Sequence, residues 1–397
     1  MKHRIVVLGA GYAGAMAAGR LAKRLHPDDT EITVINADAD FVERVRMHQL
    51  ATGQDLKRRP LSEVYAGTGV KPRLARVTAV DADRRTVALA DGNGNGTDEI
   101  TYDTLVYALG SVTADHGVPG VAEHAYDIAG RPSALRLRDR LAHLAPGGTV
   151  LVVGGGLTGL EAVTEIAETR PDLDVALAAR GGLGDWLNGK AQQHLRGVCD
   201  RLGITVHQHT DIARVEAAGA VTRDGREIPA QVTVWTTGFA VHPIAAATTL
   251  AVAETGQIIV DASMRSVSHP EVYAVGDAAI AEGPGGKPLR MSCASGIPMA
   301  WQAADAIAAR LTGRAKFPKA PLRYFNQCIS LGRRDGIIQY VTADDRARPA
   351  LLTGKLAARY KEFVCTGAAW SIAHPVLYPV RRHRVVPTRS EVRTAAS

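Results

Sequence analysis

Two glycine-spaced turns constrain this chain more than any other feature. VVLGAGYAG sets Gly9, Gly11 and Gly14 at the end of one apolar strand, and LVVGGGLTG sets Gly154, Gly156 and Gly159 at the end of another. Each reads as strand, sharp turn and helix. The first glycine admits the turn, the second lets a pyrophosphate approach the backbone, and the third lets helix and strand pack closely. The helix amino terminus then offers unpaired N–H groups and a partial positive charge to phosphates. One such turn can be a tight corner with no ligand. Two of them, one near the amino terminus, imply that the chain holds two dinucleotides. The usual reason to hold two is to pass a hydride between them.

At 397 residues the chain spans two or three domains, taking roughly 150 residues per domain. The first strand, HRIVVLGA, begins almost at Met1, so no signal peptide is expected. No run reaches the ~20 apolar residues of a membrane helix. Cys199, Cys293, Cys328 and Cys365 are far apart, with neither CxxC nor metal-ligand spacing. They read as reduced thiols of a cytoplasmic protein, and no metal is expected. Net charge is +7. Much of it lies in the tail from His374, where Arg381, Arg382, Arg384, Arg389 and Arg393 face only Glu391. No aromatic or helix-turn-helix pattern accompanies that charge, so no nucleic-acid partner is expected. The tail reads as solvated and disordered, with contact to anionic lipid the alternative.

Periodicity and punctuation give a strand at 4–9, a helix at 12–25 and a strand at 31–36. Strand-like stretches follow near 73–80 and 85–89, a hairpin turn near 92–97, and a buried strand at 105–109 ended by Gly110. A helix is expected at 132–144. The second unit reads as strand 150–154, helix 157–169 and strands at 174–179, 204–209 and 232–238. VYAVGDAA (272–279) returns to the first unit, and 299–312 reads as a helix.

An acidic residue normally stands about 20 positions beyond such a turn and binds the adenosine ribose. In the first unit the strand EITVIN ends instead at Asn36, whose amide can still bond ribose hydroxyls. In the second unit the strand ends at Ala178, Ala179 and Arg180, with no carboxylate. Arg180 suits a 2′-phosphate, because guanidinium offers paired donors. A solvent-facing arginine after a strand is the alternative.

The segments VVLGAGYAG, FVERVRMHQLATG, YDTLVYALGS, VVGGGLTGLEAVTEIAE, VWTTGF and VYAVGDAA, in that order, resemble the two-dinucleotide flavoprotein family. This is the pyridine nucleotide-disulfide oxidoreductase-like family, and within it the type II NADH dehydrogenase-like branch. The resemblance implies an α/β fold with two Rossmann-like dinucleotide-binding domains, one for FAD and one for NAD(P)H, plus a carboxyl-terminal segment. The FAD-binding domain is expected to be discontinuous, 1–112 and 236–315. The NAD(P)H-binding domain takes 113–235, and 316–397 forms the last segment with its basic tail.

By the same resemblance, Gly9, Gly11 and Gly14 cradle the FAD pyrophosphate and Asn36 takes its ribose. Arg44, His48 and Gln49 run beside the flavin, and Val77 meets the adenine through its backbone. Gly110 and Gly238 end strands that border the cofactors, and Asp277 bonds the ribityl hydroxyls. Gly154, Gly156 and Gly159 bind the nicotinamide dinucleotide, with Arg180 favouring NADPH. Glu161 stands near nicotinamide and flavin as the candidate catalytic residue. Plainer readings exist beside these: His48 as a loop histidine, Glu161 as a helix-dipole partner and Asp277 as a helix cap.

Two departures shape the expected activity. No cysteine precedes Cys199, so the flavin has no disulfide pair beside it. The stretch RMSCASGIPMAWQAAD (290–305) lacks the AQxxxQ pattern of the respiratory quinone site. The expected activity is FAD-dependent NAD(P)H oxidation with transfer to a diffusible acceptor, a small quinone or a specialised metabolite. A peripheral-membrane type II NADH:quinone dehydrogenase and a non-catalytic flavin redox sensor are the alternatives. Residues 290–298 are expected to line the acceptor site, with Ser292 and Ser295 as hydrogen-bonding groups. Leu352, Leu356, Tyr360, Phe363 and Val364 recur at helical spacing. That stripe is expected to pack on its own domain or on a second subunit as a homodimer. The alternative is the inner face of the cell membrane.

Overall fold

The computed structural model describes residues 1–90, 97–376, 378 and 380–386. The expected turn near 92–97 and the tail residues Arg389, Glu391 and Arg393 lie wholly or largely outside them.

Two five-stranded parallel sheets carry the molecule. The first runs Val272–Ala274, Thr104–Tyr107, His3–Leu8, Thr30–Asn36, Lys71–Leu74. Its central strand is buried from Ile5 to Leu8 and registers Ile5 against both Ile32 and Thr104. A parallel strand covered on both faces is apolar throughout, which is why IVVL and LVY show no alternation. The second sheet runs Thr205–His207, Asp174–Ala178, Thr149–Val153, Val232–Trp235, Ala125–Tyr126. The chain thus completes the second sheet before Val272–Ala274 joins the first. Its outward and return passages meet as a two-stranded antiparallel ribbon, Ser111–Thr113 against Phe239–Val241. Beside the ribbon the Trp235 indole N–H donates to the Ala114 carbonyl at 2.8 Å. The carboxyl-terminal segment forms a three-stranded antiparallel sheet, Asn326–Ser330, Gly336–Val341 and Ala347–Thr353. It is followed by the helix Gly354–Ala373.

Four features differ from the sequence reading. The helix expected at 299–312 runs Cys293–Leu311 and contains Pro298. Proline there forfeits one early backbone bond, and the buried face through Met299, Ala300, Ala303 and Ile307 outweighs it. Gly189–Arg201 is a helix that strand-seeking missed. Its signal was Asn188, whose side chain accepts from the Ala191 N–H, followed by buried Ala191, Leu195 and Val198.

The third difference is the apolar stripe of the last helix. Leu352 belongs to a strand, Leu356 and Phe363 are exposed, and Val364 is exposed at the cleft. The buried face is instead Ala357, Lys361, Cys365, Ala369 and Ile372. Fourth, residues 380–386 of the basic tail are tied to the first unit. The His26 N–H donates to the His383 carbonyl at 3.0 Å, the His383 N–H donates to the Arg24 carbonyl at 2.9 Å, and Arg384 pairs with Asp29 at 2.8 Å.

One buried ion cluster ties the first glycine-turn helix, Tyr12–Arg24, to Cys293–Leu311. Asp305 is 3 % exposed and accepts two bonds from Arg20 at 2.8 Å, with Arg24 also against it. Removing the carboxylate leaves two guanidinium groups with no counter-charge. Asp305→Ala is expected to cost about 3–5 kcal/mol of stability in urea unfolding. A loss below about 1 kcal/mol would show the cluster to be well solvated.

Candidate functional site

Both glycine turns open on one cleft of about 790 Å³ between the two sheets. Gly11, Tyr12 and Ala13 line it from the first unit, and Gly154, Gly155 and Gly156 from the second. The glycines of each turn divide into two kinds. A Cβ on Gly9 would lie 2.4 Å from the Ala108 oxygen, one on Gly14 1.9 Å from the Gly9 oxygen, and one on Gly159 1.8 Å from the Gly154 oxygen. These positions are demanded by the fold itself. Gly9 and Gly154 also adopt φ of +91° and +126°, which side chains strain to reach.

Gly11 and Gly156 differ. A Cβ on either would meet nothing within 4 Å, and both have ordinary extended backbone. Each is the cap of a helix, Tyr12–Arg24 or Leu157–Thr169, with no side chain satisfying the first N–H groups. Nothing among the described residues requires glycine there. A dinucleotide pyrophosphate seated on the helix end does, so these residues fit two such groups.

Around the first turn, Asp277 sits in the short 3-10 turn Gly276–Ala278. Its Oδ2 accepts from Ser111 Oγ at 2.6 Å and faces Arg44 Nη1 at 3.4 Å. Arg44 stacks over the Phe239 ring at 4.7 Å, and its Nη2 is buried without a partner. Burial pulls its guanidinium below the ordinary arginine value, while Asp277 opposes the shift. Gly110 and Gly238 line the same cleft, Gly238 beside His116. This set, a held carboxylate with a free guanidinium donor, fits a polyhydroxyl chain joined to a phosphate.

A second polar group lies where the carboxyl-terminal segment walls the cleft. Glu161 accepts from the Ser330 N–H at 3.2 Å and pairs with Lys361, both side chains about one-tenth exposed. His48 Nδ1 lies 3.8 Å from Glu161 Oε2. Burial pulls the Lys361 ammonium down to about 8. Burial, reinforced by Lys361 and Arg46, holds the His48 imidazole well below its ordinary value, so it is neutral. The wall is fixed by further bonds from the helix Leu157–Thr169. Thr164 Oγ1 accepts from the Gly332 N–H at 3.1 Å, and Glu165 takes Gln54 at 2.7 Å and Arg333 at 3.0 Å.

The cleft brings together Gly11, Arg44, His48, Gly110, Gly154, Gly156, Glu161, Arg180, Gly238 and Asp277 of the expected residues. Gly9, Gly14 and Gly159 stand behind it as packing positions. Asn36, Gln49 and Val77 are not brought to it. The Asn36 amide bonds within the turn, accepting from the Ala10 N–H at 2.9 Å and donating to the Asp38 carbonyl at 2.7 Å, and keeps one further N–H and one oxygen lone pair. Gln49 accepts from Arg46 at 3.1 Å. Val77 is buried in a hairpin strand opposite Leu89.

Residues 290–294 and Gly296 do line the cleft. Ser295, expected to bond an acceptor, is buried and donates to the Arg290 carbonyl at 2.7 Å. Lys361, Gln327, Cys328, Cys365 and Arg223 also line it, and no sequence motif marked their place at the cleft. Burial pushes the thiols of Cys293 up to about 11 and Cys328 up to about 12, so both stay protonated and unreactive.

Comparison with known proteins agrees with this architecture. Residues 3–308 match the family model described as pyridine nucleotide-disulphide oxidoreductase. An NADH dehydrogenase-like protein of Mycobacterium tuberculosis is 30% identical over 75% of this chain and 78% of its own length. The demethylphylloquinone reductase of Synechocystis is 26% identical over 91% and 92%. NDH2 of Plasmodium falciparum, solved in complex with NADH, superposes with a TM-score of 0.80 at 14% identity, covering 94% of this chain and 96% of that one. This chain belongs to the pyridine nucleotide-disulphide oxidoreductase family, in its NADH dehydrogenase-like branch, and is a flavin-dependent NAD(P)H oxidoreductase.

Proposed function

We propose that this chain takes hydride from NAD(P)H through FAD to a diffusible carbonyl acceptor, a small quinone or a specialised metabolite. The observation that carries the reading is the single cleft shared by both glycine turns, with Gly11 and Gly156 free of any packing demand. Gly11, Arg44 and Asp277 hold FAD, with Gly9 and Gly14 shaping the turn behind it. Gly154 and Gly156 hold the nicotinamide dinucleotide, with Gly159 packed behind them. FAD supplies the two-electron chemistry, and catalysis by the chain is then mostly positioning. Lys361, paired with Glu161, holds a proton at the cleft wall for a reduced acceptor. Purified protein incubated with a panel of quinones, dyes, oxygen and metabolites, with NADPH as donor, tests the reading. Turnover with a small carbonyl acceptor supports it. Flavin bleaching with turnover by none would leave a redox sensor instead.

Arg180 supports NADPH over NADH. It is exposed at the cleft with no partner among the described residues. Thr210 joins the same rim through its N–H to the Ala179 carbonyl at 2.9 Å, and Asp211 follows it. Arg223 there pairs with Asp211 at 2.6 Å. A 2′-phosphate can take both guanidiniums, and charged hydrogen bonds of that kind are worth about 1.5–3 kcal/mol. Arg180→Ala is expected to raise KM for NADPH roughly tenfold or more and to leave NADH within about twofold. A strong NADH preference that survives Arg180→Ala would overturn this.

One observation favours membrane contact as a second reading. Leu356, Phe363 and Trp370 are 67%, 75% and 49% exposed, and they recur every seven residues along one side of the last helix. Exposed Lys355 and Arg359 flank them. Such a face suits an anionic lipid surface. Flotation with phosphatidylglycerol vesicles should carry the protein, and Phe363→Glu should release it. Protein that stays at the bottom of the gradient would favour a covering second subunit.

A further inference from the structure

Two buried polar atoms in the carboxyl-terminal part of the cleft have no partner among the described residues, His48 Nε2 and Gln327 Oε1. Both side chains line the cleft, and they are 4% and 8% exposed. A buried polar atom left unpaired is costly, so it points to a ligand that completes it. The chemical sense of each atom can be read. Gln327 Nε2 donates to Asp345 Oδ1 at 2.9 Å, and Asp345 is itself held by Arg290 at 2.7 Å. The amide is thereby oriented with its oxygen free. His48 is neutral, and Glu161 faces its Nδ1, which draws the ring proton to that nitrogen and leaves Nε2 a lone pair. Both orphan atoms are therefore hydrogen-bond acceptors. The same cleft is also lined by apolar and weakly polar side chains, Met47, Met291, Cys293, Val364 and Cys365 among them.

We propose that Gln327 selects the electron acceptor, and that the acceptor is an aromatic carbonyl compound carrying a ring hydroxyl that donates to Gln327 Oε1. The inference rests on the oxidoreductase reading above and goes beyond it to the substrate class. A plain quinone offers only carbonyl oxygens and would leave Gln327 Oε1 unpaired. A hydroxylated ring satisfies it, and its flat apolar body matches the apolar lining of the cleft. A site built to take a hydroxyl rejects the analogue that lacks it.

The test uses redox-inert probes on the oxidised flavin-loaded protein, so binding is read apart from turnover. 4-Hydroxyacetophenone carries a carbonyl and a donor hydroxyl, and 4-methoxyacetophenone has the donor blocked. Titration calorimetry at mildly acidic pH, where the phenol is protonated, should show the hydroxyl compound binding at least about tenfold tighter. Gln327→Met should bring the two within about twofold and leave the methoxy compound unchanged. Should Gln327→Met fail to fold, Asp345→Gly, which suits the φ of +69° there, removes the acceptor that orients the amide and should reduce the ratio as well. Equal binding of the two probes, binding of neither, or a ratio that survives these variants would overturn the assignment. Flavin bleaching by NADPH, measured on the same preparations, reports the oxidoreductase reading separately.

Discussion

Gly159→Ala should lose nicotinamide-driven flavin reduction by roughly a thousandfold, a barrier of about 4 kcal/mol. Its Cβ would sit 1.8 Å from the Gly154 oxygen and 2.8 Å from Thr236 Oγ1, so the turn must open to admit it. That result alone does not separate a broken turn from a blocked ligand. Gly156→Ala separates them. Nothing stands within 4 Å of its Cβ, so the variant should melt as the parent does and retain its flavin. It should nonetheless bind NADPH at least about tenfold more weakly, because the methyl occupies the path of the pyrophosphate. Stopped-flow bleaching against NADPH concentration reads both variants. Gly156→Ala with unchanged affinity would show that the second turn seats no dinucleotide.

Lys361→Met should slow the acceptor half-reaction roughly a hundredfold while NADPH bleaches the flavin at its normal rate. The ammonium is the charged donor nearest Glu161, and burial pulls it down to about 8. The sign follows directly. Below pH 8 Lys361 is protonated and can give a proton to the reduced acceptor. Above pH 8 it is neutral, and the acceptor rate should fall about tenfold per pH unit. Lys361→Met should be slow and flat across that range, and the flavin-reduction step should not follow the limb. A limb that persists in Lys361→Met would assign the proton to another group.

The two glycine turns were legible because their requirement is local. A strand, three glycines at fixed spacing and a helix need no distant residue to define them. Asp277 was legible for the same reason, since it follows Gly276 at the end of an apolar strand. Lys361 was not. A lysine on an amphipathic helix reads as solvated, and only its distant partner Glu161 explains its burial. The face of that helix was inverted by side-chain size. Small residues, Ala357, Cys365 and Ala369, let it lie close to the sheet, and the larger Leu356, Phe363 and Trp370 were left outside. Asn36 stands at its strand end as expected, and its amide also bonds the Ala10 N–H and the Asp38 carbonyl within the turn. Gln327 carried no sequence signal, because its orientation is set by Asp345 across a strand turn.

The central claim is that one cleft holds a flavin and a nicotinamide dinucleotide in contact. Anaerobic titration of the purified protein with NADPH, followed at the flavin absorbance band, tests it most directly. The purified protein should be yellow, carry non-covalent FAD and be bleached completely by one equivalent of NADPH, with Asp277→Ala losing most of the FAD. A colourless protein that takes up no added FAD, or a bound flavin that stays oxidised under excess NADPH and NADH, would contradict it.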